Sequence, residues 1–219
     1  MVRNQNERNM GVKTMETNYQ KVKAFTESRI RKLLSEPENA ARASLARLRK
    51  GIGHAPGELP DLWGEFLTDL PEEFCGCGTE ISREEWAIYT ALTVFSLHQQ
   101  GKSRESEPMH RPDISVGSAA ARLIDSDDAD GDRERVARRF YPVATAEDMT
   151  ELSYKLRSLV TLLRAKGIPM DYARLAADLY RFQNPDTADS VKLRWGEDFC
   201  TIHFKENKDN NDLDEKKGN

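Results

Sequence analysis

Apolar residues recur along the chain at intervals of three and four and almost nowhere alternate singly, so the pattern predicts helices and almost no strands. Val22, Phe25, Ile30, Leu33 and Leu34 form one such stripe, ended by Pro37, whose ring cannot continue a helix. A second helix carries Ala41, Leu45 and Leu48 on one face and stops at Gly51. GIGHAPGELP reads as a loop, followed after Pro60 by a short helix through Leu62, Trp63, Phe66, Leu67 and Leu70. Ser82 with Glu85 three residues later is a capping box. It opens a helix to Gln100 that is apolar on most sides and suits the middle of a bundle.

Residues 101–114 read as a polar loop and Ile114 to Ile124 as a helix of small residues. After an Asp-rich loop, a basic helix is expected to reach Tyr141. Thr145 then caps a long helix whose Leu152, Leu156, Leu159 and Leu163 share a face, and Gly167 ends it. Pro169 suits the first turn of the next helix, which runs through Met170, Leu175, Leu179 and Phe182. Val191, Trp195, Phe199 and Ile202 mark a last helix. About eight helices joined by mostly short loops predict an all-α bundle in two packed halves. The expected division is an N-terminal half over 16–124 and a C-terminal half over 133–204, with the polar segments 1–15 and 205–219 as disordered tails.

Hydrophobic residues make up 38% of the 219 and charged residues 32%, the balance of a water-soluble chain. No apolar run approaches the ~20 residues of a membrane span, and MVRNQNERNM lacks the apolar core of a signal peptide. Three cysteines argue against a disulfide framework and suit a reducing compartment, so a cytoplasmic location and no membrane partner are expected. A net charge of −4 leans against nucleic acid, but the average hides opposed blocks. Arg29, Arg31, Lys32, Arg42, Arg47, Arg49 and Lys50 face only Glu36 and Glu38 over 29–50. Acids from Glu58 to Glu85 then meet a single base, Arg83. Asp125, Asp127, Asp128, Asp130 and Asp132 precede Arg133, Arg135, Arg138 and Arg139. Arginine predominates in the basic segments, and its planar fork binds phosphate oxygens in pairs.

Candidate chemistry narrows the function by its scarcity. Cys75-Gly-Cys77 has a poor spacing for structural zinc and no second Cys or His pair nearby. His54, His98, His110 and His203 are scattered, and His98 suits a capping or helix-interface role. DSDDADGDRE resembles a calcium loop, but either register lacks a required residue: Ala137 stands where the bidentate carboxylate belongs, or Asp130 where the glycine belongs. GIGHAPG lacks the strand-to-helix context of a dinucleotide loop, and no Walker or GxSxG sequence occurs. No catalytic residue, cofactor or metal is therefore expected, and a binding or assembly subunit is.

Four strings, LARLRKGIGHAPGELPDLW, ISVGSAAARL, LSYKLRSLVTLLRAKGIPMDYARLAADLYRF and VKLRWGEDF, together resemble the CasB family, the small subunit of the type I-E CRISPR surveillance complex Cascade. The resemblance covers roughly residues 18–204, and it rests on the order and spacing of the strings rather than on one motif. It implies an all-α, non-catalytic protein, present in two copies in the complex and stabilising the R-loop formed by guide RNA (crRNA) and target DNA. It implies crRNA and target DNA as backbone-contact partners, with the large subunit, the multi-copy backbone subunit and a second copy of the chain as protein partners.

Carried over by position, the resemblance makes Arg49, Lys50, Arg135, Arg138, Arg139 and Arg157 nucleic-acid contacts. Many relatives carry arginine directly after the glycine of the ISxG string, where this chain has Ser118; Arg122, one turn on, or Arg111, in the preceding loop, would supply that contact. Arg49 and Lys50 would equally suit a helix C-terminus as favourably placed cations. The aromatics Trp63, Trp86, Tyr172, Phe182, Trp195 and Phe199 fall on apolar stripes and read as core rather than as base-stacking platforms. Alternating acidic and basic segments suit head-to-tail stacking on a second copy. A helical protein–protein adaptor without nucleic-acid contact is the alternative, and a metal-dependent nuclease using the Asp125–Asp132 loop is a third.

Overall fold

The computed structural model describes the backbone of residues 2–77, 80–124 and 129–215, and side chains over 14–77, 80–124 and 131–201. Among the described residues there are nine α-helices: α1 (Val2–Ser35), α2 (Glu38–Lys50), α3 (Trp63–Phe66), α4 (Arg83–His98), α5 (Val116–Ala121), α6 (Ala129–Ala144), α7 (Met149–Lys166), α8 (Tyr172–Phe182) and α9 (Pro185–Glu215). Short 3-10 turns occupy Pro60–Leu62 and Glu72–Phe74, and one isolated bridge joins His110 to Met170. The fold is all-α, as the periodicity predicts. Backbone of the segments expected as tails continues α1 and α9; their side chains lie largely outside the described residues, as do residues 125–128 of the Asp-rich loop and the side chains of Asp130 and Ile202.

The core is built around α4, whose Ala87–Phe95 run is buried throughout. Helices α8, α7 and α2 pack against it, α1 lies across α8, and α9 covers α5 and α8. Residues of both expected halves join one buried cluster. On α7 the cluster takes Leu152, Leu156, Leu159 and Leu163, each worth about 1.5–3 kcal/mol on burial. The exposed Lys155–Glu151 pair on the same helix contributes only about 0.3–0.5 kcal/mol. The leucine stripe holds the helix.

Helix boundaries follow their caps. Ser82 accepts from the Glu85 N–H while the Glu85 carboxylate accepts from the Ser82 N–H, the reciprocal arrangement expected from the sequence. Thr145 does not cap α7: its hydroxyl donates to the Tyr141 carbonyl at the end of α6, and Asp148 caps instead, accepting from the Glu151 N–H at 2.8 Å. Pro169 does not start α8. Met170 exchanges backbone hydrogen bonds with Met109 and Arg111, which keeps the chain extended until Asp171 caps α8 at the Arg174 N–H. Trp63, read as core, is 47% exposed, because Leu62 and Phe66 fill the buried face of that short helix. Tyr172, Phe182, Trp195 and Phe199 are buried as expected, and Trp86 is partly buried.

Two polar groups tie α8 to its neighbours. Asp178 accepts from Tyr19 of α1 and from Trp195 and Arg194 of α9, and its carboxyl is pushed up by burial despite the two nearby guanidinium groups of Arg194 and Arg174. His98 is fully buried with Nδ1 2.7 Å from the Tyr172 hydroxyl, the interface role the sequence suggests.

Candidate nucleic-acid interface

With Ala41, Leu45 and Leu48 buried, the last turn of α2 leaves Lys50 exposed and Arg49 half-buried. The chain then doubles back through Gly53 (φ +87) onto α7, where the Gly53 N–H donates to Ser153 Oγ and the Tyr154 hydroxyl donates to the Gly53 carbonyl, both at 3.4 Å. A Cβ at Gly53 would meet the tip of the tyrosine ring at 2.6 Å and push it aside, and the positive φ itself favours glycine. This contact brings the turn that follows α2 onto the outer face of α7. Arg157 lies one turn from Tyr154 on that face, exposed, and Arg164 two turns further toward the end of α7.

Arg164 donates to the Leu97 carbonyl and to Gln100 Oε1 (2.9 Å), and Arg49 to the Ser96 carbonyl at 3.4 Å. Burial, and then the Arg164 charge, lower the Arg49 pKa. Arg49 also lines a groove of about 810 Å³ with Arg42, Lys102 and Arg104 and with Glu38 and Glu105. Among the described residues none of Arg49, Lys50, Arg157 and Arg164 is ion-paired, whereas Arg42, Arg47, Arg104, Arg174 and Arg194 all meet carboxylates. Like charges gathered without a carboxylate repel, and an anion laid across them relieves that repulsion.

The other expected contacts lie elsewhere. Val136, Phe140 and Val143 pin α6, leaving Arg135, Arg138 and Arg139 on its outer face. Arg135 pairs with Asp132 and Arg138 with Glu134, both as exposed pairs within one turn. Arg111 is exposed where its backbone N–H donates to the Met170 carbonyl. Arg122 is exposed at the C-cap of α5, on the same side of the helix as Ser118, whose hydroxyl accepts from Ser115. The expected residues thus lie on several elements: Arg49 and Lys50 end α2, with Arg49 close to Arg164, Arg157 stands on α7 one turn from the Tyr154 that meets Gly53, and the others are carried elsewhere.

A family model described as CRISPR-associated protein Cse2 matches residues 44–199, a stretch that takes in all four of the strings quoted above. The chain belongs to this family. CasB from Thermobifida fusca is 35% identical, with 81% of this chain and 97% of that chain covered at a TM-score of 0.62. M. ruber CasB is 21% identical over 84% and 97% of the two chains (TM-score 0.62). A chain of a structure described as a CRISPR RNA-guided surveillance complex is 18% identical over 87% and 98% (TM-score 0.63). No curated protein matches the chain. The CasB resemblance is therefore borne out.

In this Cse2 chain the sequence reading missed Arg164. The RAKG ending of α7 reads as ordinary C-terminal cations, and only the tertiary approach of α2 brings Arg164 to Arg49. Glu27, His110 and Asp171 cluster closely enough to suggest a metal site. Their donors are already engaged, however. His110 Nδ1 accepts from the Tyr172 N–H, so Nε2 carries the proton and donates to Glu27 at 2.7 Å; Asp171 accepts from the Asp113 and Arg174 N–H groups. The cluster straps the loop before α5 onto α1 and α8. Cys75 and Cys77 are free and exposed.

Proposed function

We propose that this Cse2-family chain is the non-catalytic small subunit of a type I-E CRISPR RNA-guided surveillance complex, stabilising the crRNA/target-DNA R-loop through contacts to the nucleic-acid backbone. The observation that carries the reading is the approach of Arg49 on α2 to Arg164 on α7, neither ion-paired among the described residues, with Lys50 and Arg157 exposed on the same two helices. Base pairing reads sequence in such a complex, so this subunit needs cations that track phosphates rather than side chains that read base edges. Arg135, Arg138 and Arg139 on α6 form a second basic face, with Arg111 and Arg122 as further contacts. The partners on this reading are crRNA, target DNA, the large subunit, the multi-copy backbone subunit and a second copy of the chain, in the cytoplasm.

A protein-contact role is favoured for the opposite, acidic segment. There the exposed Trp63 and Ile81 line a hollow of about 300 Å³ beside Glu80 and Glu85, a surface suited to a neighbouring subunit with basic residues. Purifying the tagged chain from its own cells tests the whole reading. Recovery with the other complex subunits and a CRISPR-derived RNA is expected. Recovery with protein partners but no nucleic acid would favour the adaptor reading.

A further inference from the structure

We propose that Tyr154 is a stacking platform for an unpaired nucleobase at the edge of the α2–α7 cation cluster. This rests on the nucleic-acid reading of that surface and adds a preference it does not contain, for single strands over duplex. Tyr154 is 52% exposed on the outer face of α7, a position where a small or charged side chain would serve the helix better. Its ring lies against Gly53, and its hydroxyl is held by the Gly53 carbonyl. The ring is thereby fixed in place before any ligand arrives, which lowers the ordering cost of a stack. Lys50 precedes Gly53 by three residues, and Arg157 follows Tyr154 by one turn. A base over the ring would therefore carry its flanking phosphates towards cations that have no carboxylate partner among the described residues.

An aromatic face among cations following a backbone is the arrangement that binds single strands without regard to sequence. Duplex cannot use it, because its bases are already stacked on one another. Tyr141, 56% exposed on α6, does not offer the same site, since its ring is in edge contact with Phe199 at 6.3 Å.

The test is fluorescence anisotropy of the full-length protein with a labelled oligothymidylate and with a duplex, comparing wild type with Tyr154→Leu, Tyr154→Phe and the double variant Lys50→Glu/Arg157→Glu. Tyr154→Leu should weaken single-strand binding about tenfold with its salt slope unchanged. It should weaken duplex binding less and leave the chain folded, while Tyr154→Phe, which keeps the ring but loses the hydroxyl bond to Gly53, should fall between Tyr154→Leu and wild type. Single-strand affinity unaltered in Tyr154→Leu, or an equal loss on both ligands, overturns the proposal. If the charge-reversed variant weakens both ligands while Tyr154→Leu changes neither, stacking alone is wrong. If wild type binds neither ligand, or charge reversal changes nothing, the nucleic-acid reading of this surface fails and the stacking site fails with it.

Discussion

Arg164, in the last turn of α7, lies close enough to Arg49, in the last turn of α2, for its charge to add to burial in lowering the Arg49 pKa. Among the described residues, these two guanidinium groups meet carbonyl and amide oxygens and no carboxylate. The negative ends of two helix dipoles temper their repulsion, yet at about 0.3–1 kcal/mol each they do not replace a carboxylate. On the proposed reading, a phosphate laid between them supplies the missing negative charge.

Reversing Lys50 and Arg157 together should therefore change binding and spare the fold. Both side chains are exposed with no ion pair among the described residues, so unfolding free energy should fall by only about 1 kcal/mol, most of it from placing an acid at the C-terminus of α2. A salt titration of nucleic-acid binding should lose about 0.7 from its log–log slope per single-strand phosphate contact removed, or about 0.9 per duplex contact.

The α6 face makes a separate prediction. Charge reversal of Arg135, Arg138 and Arg139 should speed release of target DNA from the assembled complex. The pairs to Asp132 and Glu134 are exposed and worth only about 0.3–0.5 kcal/mol each, so urea denaturation of the free chain should shift little.

His98 should make stability depend on pH. Burial lowers its pKa from 6.5 to about 4, outweighing the nearby Leu163 and Ile168 carbonyls. Between those values the unfolded chain binds a proton that the folded chain does not, so stability is full above about pH 6.5 and falls as pH drops towards 4. The loss should reach about 3 kcal/mol. Urea unfolding at neutral and mildly acidic pH measures it, and His98→Gln should flatten that part of the profile.

Gly117→Ala should destabilise the contact between α5 and α9. A Cβ there would meet the Trp195 carbonyl oxygen at 2.1 Å, and backbone cannot yield as a flexible side chain can. A cost of about 1–3 kcal/mol is expected from thermal unfolding.

Much of the fold was legible because local chemistry and tertiary packing agree. The Ser82–Glu85 box, the leucine stripe of α7 and the Val191–Trp195–Phe199 stripe of α9 all stand where the sequence put them. The misread boundaries lie where a partner distant in sequence, or a better local cap, decides. Met170 stays extended because Met109 and Arg111 bond to it, and Asp148 displaces Thr145 because the threonine hydroxyl already has a carbonyl. The site was legible only in part. Arg49, Lys50 and Arg157 came from the family strings, but the approach of Arg49 to Arg164 at the end of α4, and of Tyr154 to the Gly53 turn, are tertiary contacts that no local pattern announces.

Retention of target DNA by the reconstituted complex, followed as salt is raised, tests the central claim most directly when wild-type chain is compared with Lys50→Glu/Arg157→Glu. The account expects the variant to assemble normally, to release target DNA faster and to show a shallower salt dependence. Equal retention with an unchanged slope in a fully assembled complex would contradict it.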